Sequence, residues 1–159
     1  MSTVVTHHRS AVRRRLAATL LVLASLLGSL GFTTATAGPA QASTLAARVL
    51  NEAAHHRGQP YVWAAAGPTR FDCSGFTLYV FGRFGKRLPH NAAQQYTVVR
   101  HVPKASMQVG DLIFLRSSSG RIGHVGIYAG QGRMWHSPHT GSVVKLAAIY
   151  SSNYVVGRL

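Results

Sequence analysis

The sequence is poor in acids and in cysteine. Of 159 residues, only Glu52, Asp72 and Asp111 carry carboxylates, and only Cys73 carries a thiol. One cysteine excludes an internal disulfide. A lone cysteine among scattered histidines also lacks the spacing of a metal-ligand set, so neither a metal nor a cofactor is expected. Internal repeats and low-complexity tracts are missing, and no nucleic-acid-binding motif appears. The shortage of carboxylates bears on catalysis as well. Asp72 adjoins the cysteine, Asp111 falls in a turn and Glu52 in a helix, so none is obviously placed to orient a histidine base.

The N-terminus reads as an export signal. Arg9, Arg13, Arg14 and Arg15 form a basic region, and Leu16 to Leu30 is an apolar run short for a membrane span. Small residues follow, with Ala-x-Ala sites ending at Ala37 and Ala42. Cleavage after Ala42 is expected, so that residues 1–42 are signal peptide and 43–159 one domain of 117 residues. The alternative is an uncleaved membrane anchor. The arginine run also admits twin-arginine export. After cleavage no membrane association is expected.

The domain keeps thirteen basic residues against three acidic ones. They are scattered, which gives a general cationic field rather than a patch. For an exported protein the available polyanion is the cell envelope. Solubility and nonspecific wall retention account for the charge as well as substrate steering does. A secreted, wall-associated monomer is expected.

An unpaired thiol outside the cell is open to oxidation, so its presence asks for a reason. Phe71-Asp72-Cys73-Ser74-Gly75-Phe76 sits where a Gly/Pro-broken loop becomes a buried helix. First-turn N–H groups carry partial positive charge and favour a thiolate, which leads one to expect a lowered thiol pKa. Asp72 is placed to cap that helix. The competing reading makes Cys73 a small buried hydrophobe.

The remaining pattern runs from helices to strands. Ser43-Thr44 begins a helix expected from Leu45 to His56, with His55 and His56 on its surface. The cysteine helix runs to about Phe84, stopped by Gly85, and its apolar residues lie nearly all round. Asn91 caps a short helix to about Val98. Strands are expected at Leu112–Arg116, Ile122–Ala129, Arg133–His136, Ser142–Leu146 and Tyr154–Arg158. Helices followed by strands with short turns indicate an α+β domain with an antiparallel sheet.

A cysteine nucleophile needs a base, normally histidine, and a group to orient that base. His124 and His136 stand apart because one hairpin joins them. A three-residue loop, Gly130 to Gly132, pairs Ala129 with Arg133 and sets Gly126 opposite His136. His124 is then a diagonal neighbour on the same face. A two-residue loop would put the two histidines on opposite faces. A neutral orienter, His136, fits the shortage of acids.

Taken together, the chain from about Leu45 onward resembles the NlpC family of bacterial cell-wall cysteine endopeptidases. The matching residues are Pro60-Tyr61-Val62-Trp63, Phe71 to Phe76, Leu88-Pro89-His90, Gly110 to Phe114, His124 to Tyr128 and His136-Ser137-Pro138 with Thr140-Gly141. Ala64-Ala65 stands where that family usually has Gly-Gly, and Asn91 where it commonly has Ser or Thr. The resemblance implies a papain-like fold, helices packed on an antiparallel sheet, with a Cys73–His124–His136 triad. It implies that the Tyr61 hydroxyl joins the Cys73 N–H as oxyanion donor, and that Asp72 and Ser74 line a pocket for the peptide stem. The implied substrate is the peptidoglycan stem peptide, cut between γ-D-glutamate and a diamino acid. An amidase or acyltransferase using the same thiol is one alternative, and a catalytically silent cationic wall-binding protein is another.

Overall fold

The computed structural model describes residues 38–159, with side chains from Thr44 onward. The expected export signal lies outside the described residues, except for 38–42. Those five residues begin helix α1, Gly38–His55, so this helix starts seven residues before the expected Leu45. Pro39 does not oppose this, because a first-turn residue has no intrahelical use for its N–H. No helix among the described residues is long and apolar enough to cross a membrane.

Helix α2 spans Cys73–Gly82 and α3 spans Ala92–Val98. Both are capped as their sequences dictate. Asp72 accepts the Gly75 N–H, and Asn91 accepts the Gln94 N–H at 3.0 Å. The end of α2 closes through Gly85, whose N–H reaches the Gly82 carbonyl at 3.0 Å and whose φ of 73 turns the following chain back over the helix end. The Lys86 N–H then reaches the Phe81 carbonyl at 3.1 Å, so the last carbonyls of the helix find donors. Phe76, Val80 and Phe81 are buried on α2, along with the polar Ser74 and Thr77.

Six strands follow: β1 Arg100–Val102, β2 Leu112–Arg116, β3 Ile122–Gly130, β4 Arg133–His136, β5 Lys145–Ala148 and β6 Tyr154–Arg158. They form one antiparallel sheet in the order β1-β6-β2-β3-β4-β5. Phe114, Leu112, Val125, Ile127 and Trp135 pack with Phe76, Val80 and the α1 residues Val49 and Ala53. Ile113, Leu115, Met134 and Val156 alternate to the other face and form a second cluster with Val102. The expected α+β architecture of helices on an antiparallel sheet is the one observed.

Strand β1 has no sequence signal, because a three-residue edge strand with Arg100 and His101 exposed carries no hydrophobic alternation. Two local expectations need correction. Strand β5 begins at Lys145 rather than Ser142, since Val143 is drawn off to bridge Pro60 in the loop before the cysteine. His56 is not a surface residue. It is 8% exposed, its Nδ1 pairs with the Gln59 Oε1 at 2.9 Å, and its ring meets Phe71 and Tyr79 edge-on.

The β3–β4 hairpin also differs from the expected loop. Its turn has two residues, Gln131 and Gly132, and Gly130 pairs with Arg133. Both turn residues have positive φ, 52 and 66, as a type I′ turn requires. Alone, that turn would separate the two histidines. A bulge at Ala129 adds one residue to β3, and Tyr128 pairs with Met134 and Ile127 with Trp135. The bulge undoes the one-residue shift, and His124 and His136 share a face.

Candidate active site

Cys73 is the first residue of α2, and Asp72 before it is extended at φ −88, ψ −178. The sharp turn between loop and helix needs Gly75. A Cβ there would collide with the Ala65 carbonyl, whose chain runs directly over the helix start. The Asp72 N–H donates to that same carbonyl at 2.8 Å. Ser137, at the end of β4, donates its hydroxyl to the Phe71 carbonyl at 2.8 Å and ties the histidine hairpin to the cysteine loop.

The backbone N–H of Val125 favours the Cys73 thiolate, which places β3 beside Cys73 one residue from His124. The His124 Nε2 and His136 Nδ1 are 2.9 Å apart, and both residues are buried. His136 sits on β4 where Gly126 leaves room. A Cβ on Gly126 would lie 2.9 Å from the Trp135 carbonyl oxygen and 3.2 Å from the His136 Cβ.

Burial sets the protonation of all three groups. It pushes the Cys73 thiol above its ordinary value, and the Asp72 carboxylate adds to this. The N–H groups of Val125, Ser74 and Cys73 itself pull the other way and do not prevail. The expected lowering of the thiol pKa is therefore corrected: desolvation outweighs the helix terminus. His124 is lowered from 6.5 to about 4, by burial and then by His139. His136 is lowered to about 3, by burial, then by His124, Lys145 and His139. At neutral pH the resting site holds a thiol and two neutral imidazoles.

Tyr61 bridges Phe71 across the loop, and its N–H donates to the Ser142 carbonyl. Its hydroxyl is held above its ordinary pKa by burial and by the nearby Cys73 and Asp72 charges. The structure thus gathers Tyr61, Asp72, Cys73, His124 and His136 around one helix start.

A cleft of ≈ 300 Å³ opens beside Cys73, lined by Trp63, Asp72, Ser74, His90 and Ile122 among others. Asp72 is 7% exposed and fully engaged. Its Oδ1 accepts from the Gly75 N–H at 2.6 Å and from the Ser74 hydroxyl at 3.1 Å. Its Oδ2 meets the His90 Nε2 at 2.9 Å. His90 is a cleft residue that sequence reasoning left without a role. Its only signal was its place in Leu88-Pro89-His90, and nothing local shows it folding back onto Asp72. Gln95, 0% exposed, braces the same wall by bonding Thr77, the Ser74 carbonyl and the Pro89 carbonyl. Tyr150 was likewise missed. Its ring lies 6.3 Å from that of His124 and 6.1 Å from that of His136. Among the described residues no cluster of His, Cys, Asp or Glu could hold a metal ion.

The sequence matches the NlpC/P60 family over residues 58–157. It is 44% identical over 112 residues to the protein named "Probable endopeptidase p60" of Listeria seeligeri, covering 69% of this chain and 21% of that one. It is 35% identical over 108 residues to the "Gamma-D-glutamyl-L-lysine dipeptidyl-peptidase" of Bacillus subtilis, covering 67% and 36%. The chain therefore spans about a fifth to a third of the length of these curated relatives. Among solved structures, an NlpC/P60 family protein from Bacillus cereus superposes with a TM-score of 0.68 at 32% identity, over 71% of this chain and 39% of that one. The NlpC/p60 domain of the peptidoglycan hydrolase SagA superposes with a TM-score of 0.65 at 31% identity, over 72% and 98%. The match runs through the cysteine helix, the histidine hairpin and the cleft wall, and the chain belongs to the NlpC/P60 family.

Proposed function

We propose that this domain is a cysteine peptidase that hydrolyses peptidoglycan stem peptides at the γ-D-glutamyl–diamino acid bond. The observation that carries the reading is the buried His124–His136 hydrogen bond, set against Cys73 at the mouth of a polar cleft. Relatives named endopeptidase and γ-D-glutamyl-L-lysine dipeptidyl-peptidase support the substrate class.

In the proposed mechanism His124 takes the Cys73 proton on its free ring nitrogen, Nδ1. The sulfur attacks the scissile carbonyl. The oxyanion accepts hydrogen bonds from the Cys73 N–H and the Tyr61 hydroxyl. His124 then gives the proton to the departing amine, and a thioester remains. Water attacks the thioester, losing a proton to His124, and the thiol is regenerated as the acid product leaves. His136 accepts from the His124 Nε2–H, fixing tautomer and ring angle. Asp72 and Ser74 wall the acyl pocket. Because both Asp72 oxygens are already engaged, Asp72 shapes that pocket through His90 and Ser74.

Residues 1–42 serve as an export signal in this reading, and the protein acts as a secreted, wall-associated monomer. The cationic surface holds it to the anionic envelope. The test is mass spectrometry of muropeptides digested by the domain. New products ending in γ-D-glutamate support the reading. Products cut only at an amide to the sugar would replace it with an amidase.

A further inference from the structure

We propose that Tyr150 is the leaving-group contact of this site, its exposed ring face receiving the side-chain ammonium of the departing diamino acid. The inference rests on the peptidase reading above, which supplies a diamino acid at that position.

The ≈ 300 Å³ cleft lies on the side of Cys73 that carries Asp72, Ser74 and His90. Neither His124 nor His136 lines it. The departing amine takes its proton from His124, so the departing residue lies on the histidine side. Tyr150, in the loop between β5 and β6, is the large aromatic residue found there. Its ring is tilted by 42° to His124 and 39° to His136. The Cys73 charge reaches its hydroxyl and, after burial, helps to raise its pKa. The tyrosine is 64% exposed, whereas the two imidazoles beside it are 9% and 2% exposed. One part of the ring meets the histidines and the rest meets solvent. Tyr150 belongs to neither hydrophobic cluster, although its neighbour Ile149 packs in one, so the core does not require an aromatic ring at this position.

An ammonium arriving here finds no free carboxylate. All three acids are engaged elsewhere: Glu52 with His56 and Arg83, Asp72 with His90, and Asp111 with the Nε and Nη2 of Arg158. The other ionisable groups acting on the histidine pair are Lys145 and His139, neither of which attracts a cation. The electron-rich face of Tyr150 is the attraction that remains.

The test compares two synthetic substrates with the same γ-D-glutamyl acyl part, one releasing lysine and the other norleucine. Norleucine keeps the aliphatic chain and lacks the ammonium. The wild-type domain is expected to favour the lysine substrate. Tyr150→Leu should lower kcat/KM on that substrate about five- to thirtyfold and leave the norleucine substrate within about twofold. Tyr150→Phe keeps the ring face and should keep the preference. A Tyr150→Leu variant that loses equally on both substrates, or on neither, overturns the proposal while leaving the peptidase reading intact. A wild-type domain that cleaves neither substrate overturns the peptidase reading and this proposal with it. An unchanged melting temperature separates these outcomes from a loss of fold.

Discussion

The His124 Nε2 lies 2.9 Å from the His136 Nδ1, and the other nitrogen of His136, Nε2, is buried without a partner. The contact admits two tautomer arrangements, and the proposed mechanism selects one of them. For His124 to accept a proton from Cys73 on Nδ1, its Nε2 must carry hydrogen and donate to His136. The His136 Nδ1 then accepts, and its hydrogen sits on the unpartnered Nε2. Protonating His136 would set two N–H groups against each other in a buried site. In the proposed mechanism His136 is thereby held neutral, as an orienter that does not compete for the proton.

A ranking of variants follows from that division of labour. His124→Ala should leave very little activity. His136→Ala should be intermediate, since the His124 ring loses its anchor. His136→Asn should be mildest, because its amide oxygen can accept the same N–H and does not titrate near neutrality. The measurement is kcat/KM on one stem-peptide substrate. Equal losses in His136→Asn and His136→Ala would mean that the imidazole itself is required.

The pH dependence has a definite sign. His124 at about 4 and His136 at about 3 lie below the ordinary 6.5, so the folded state binds fewer protons than the unfolded chain between those limits. Their contribution to stability is fully present above pH 6.5 and is lost as pH falls through 4 toward 3. Activity should hold down to about pH 4 and fall below it, with the limb belonging to the coupled pair. Because the Cys73 thiol is pushed up, alkylation by iodoacetamide should climb only in the alkaline range. A fast alkylation plateau already present at pH 6 would contradict this and indicate a preformed thiolate–imidazolium pair.

Tyr61→Phe removes one hydroxyl and little volume. Losing one oxyanion donor costs about 10²–10³ in turnover. The loss should fall on kcat rather than KM. An unchanged kcat would return Tyr61 to a packing role in the loop before Cys73.

Ala64 holds a left-handed backbone, φ 59, beside the exposed Trp63. That conformation is costly for any residue with a Cβ. Ala64→Gly should therefore stabilise the domain by about 0.5–1 kcal/mol, the relief of strain exceeding the added freedom of the unfolded chain. Thermal or denaturant unfolding measures it, and a destabilised variant would show that the Ala64 methyl makes contacts worth more than its strain.

Much of this was legible in local sequence. Cys73 after a broken loop and before an apolar run marks a helix start, and Asp72 and Asn91 cap as their side chains allow. The shared face of His124 and His136 agrees with the expectation, but a two-residue turn and a bulge produce it in place of a three-residue loop. Bulges leave little trace in residue type, and only the pairing register reveals the one at Ala129. The burial of His56 is not visible locally, because its partners Phe71 and Tyr79 come from later in the chain. The His90–Asp72 contact spans 18 residues, and Tyr150 reaches the histidines from the loop after β5. Long-range packing of this kind is settled by how elements stack, which no local pattern encodes. The thiol's protonation escapes sequence for the same reason: the helix terminus is visible there, but the depth of burial that outweighs it is not.

The central claim is that Cys73 forms a thioester with the acyl part of the stem peptide. Acid-quenching the domain during turnover and weighing the intact protein tests it most directly. The account predicts a mass gain equal to the acyl fragment, mapped to Cys73 and absent from Cys73→Ala, which should be folded and inactive. A Cys73→Ala protein that still releases product at the wild-type rate would contradict it.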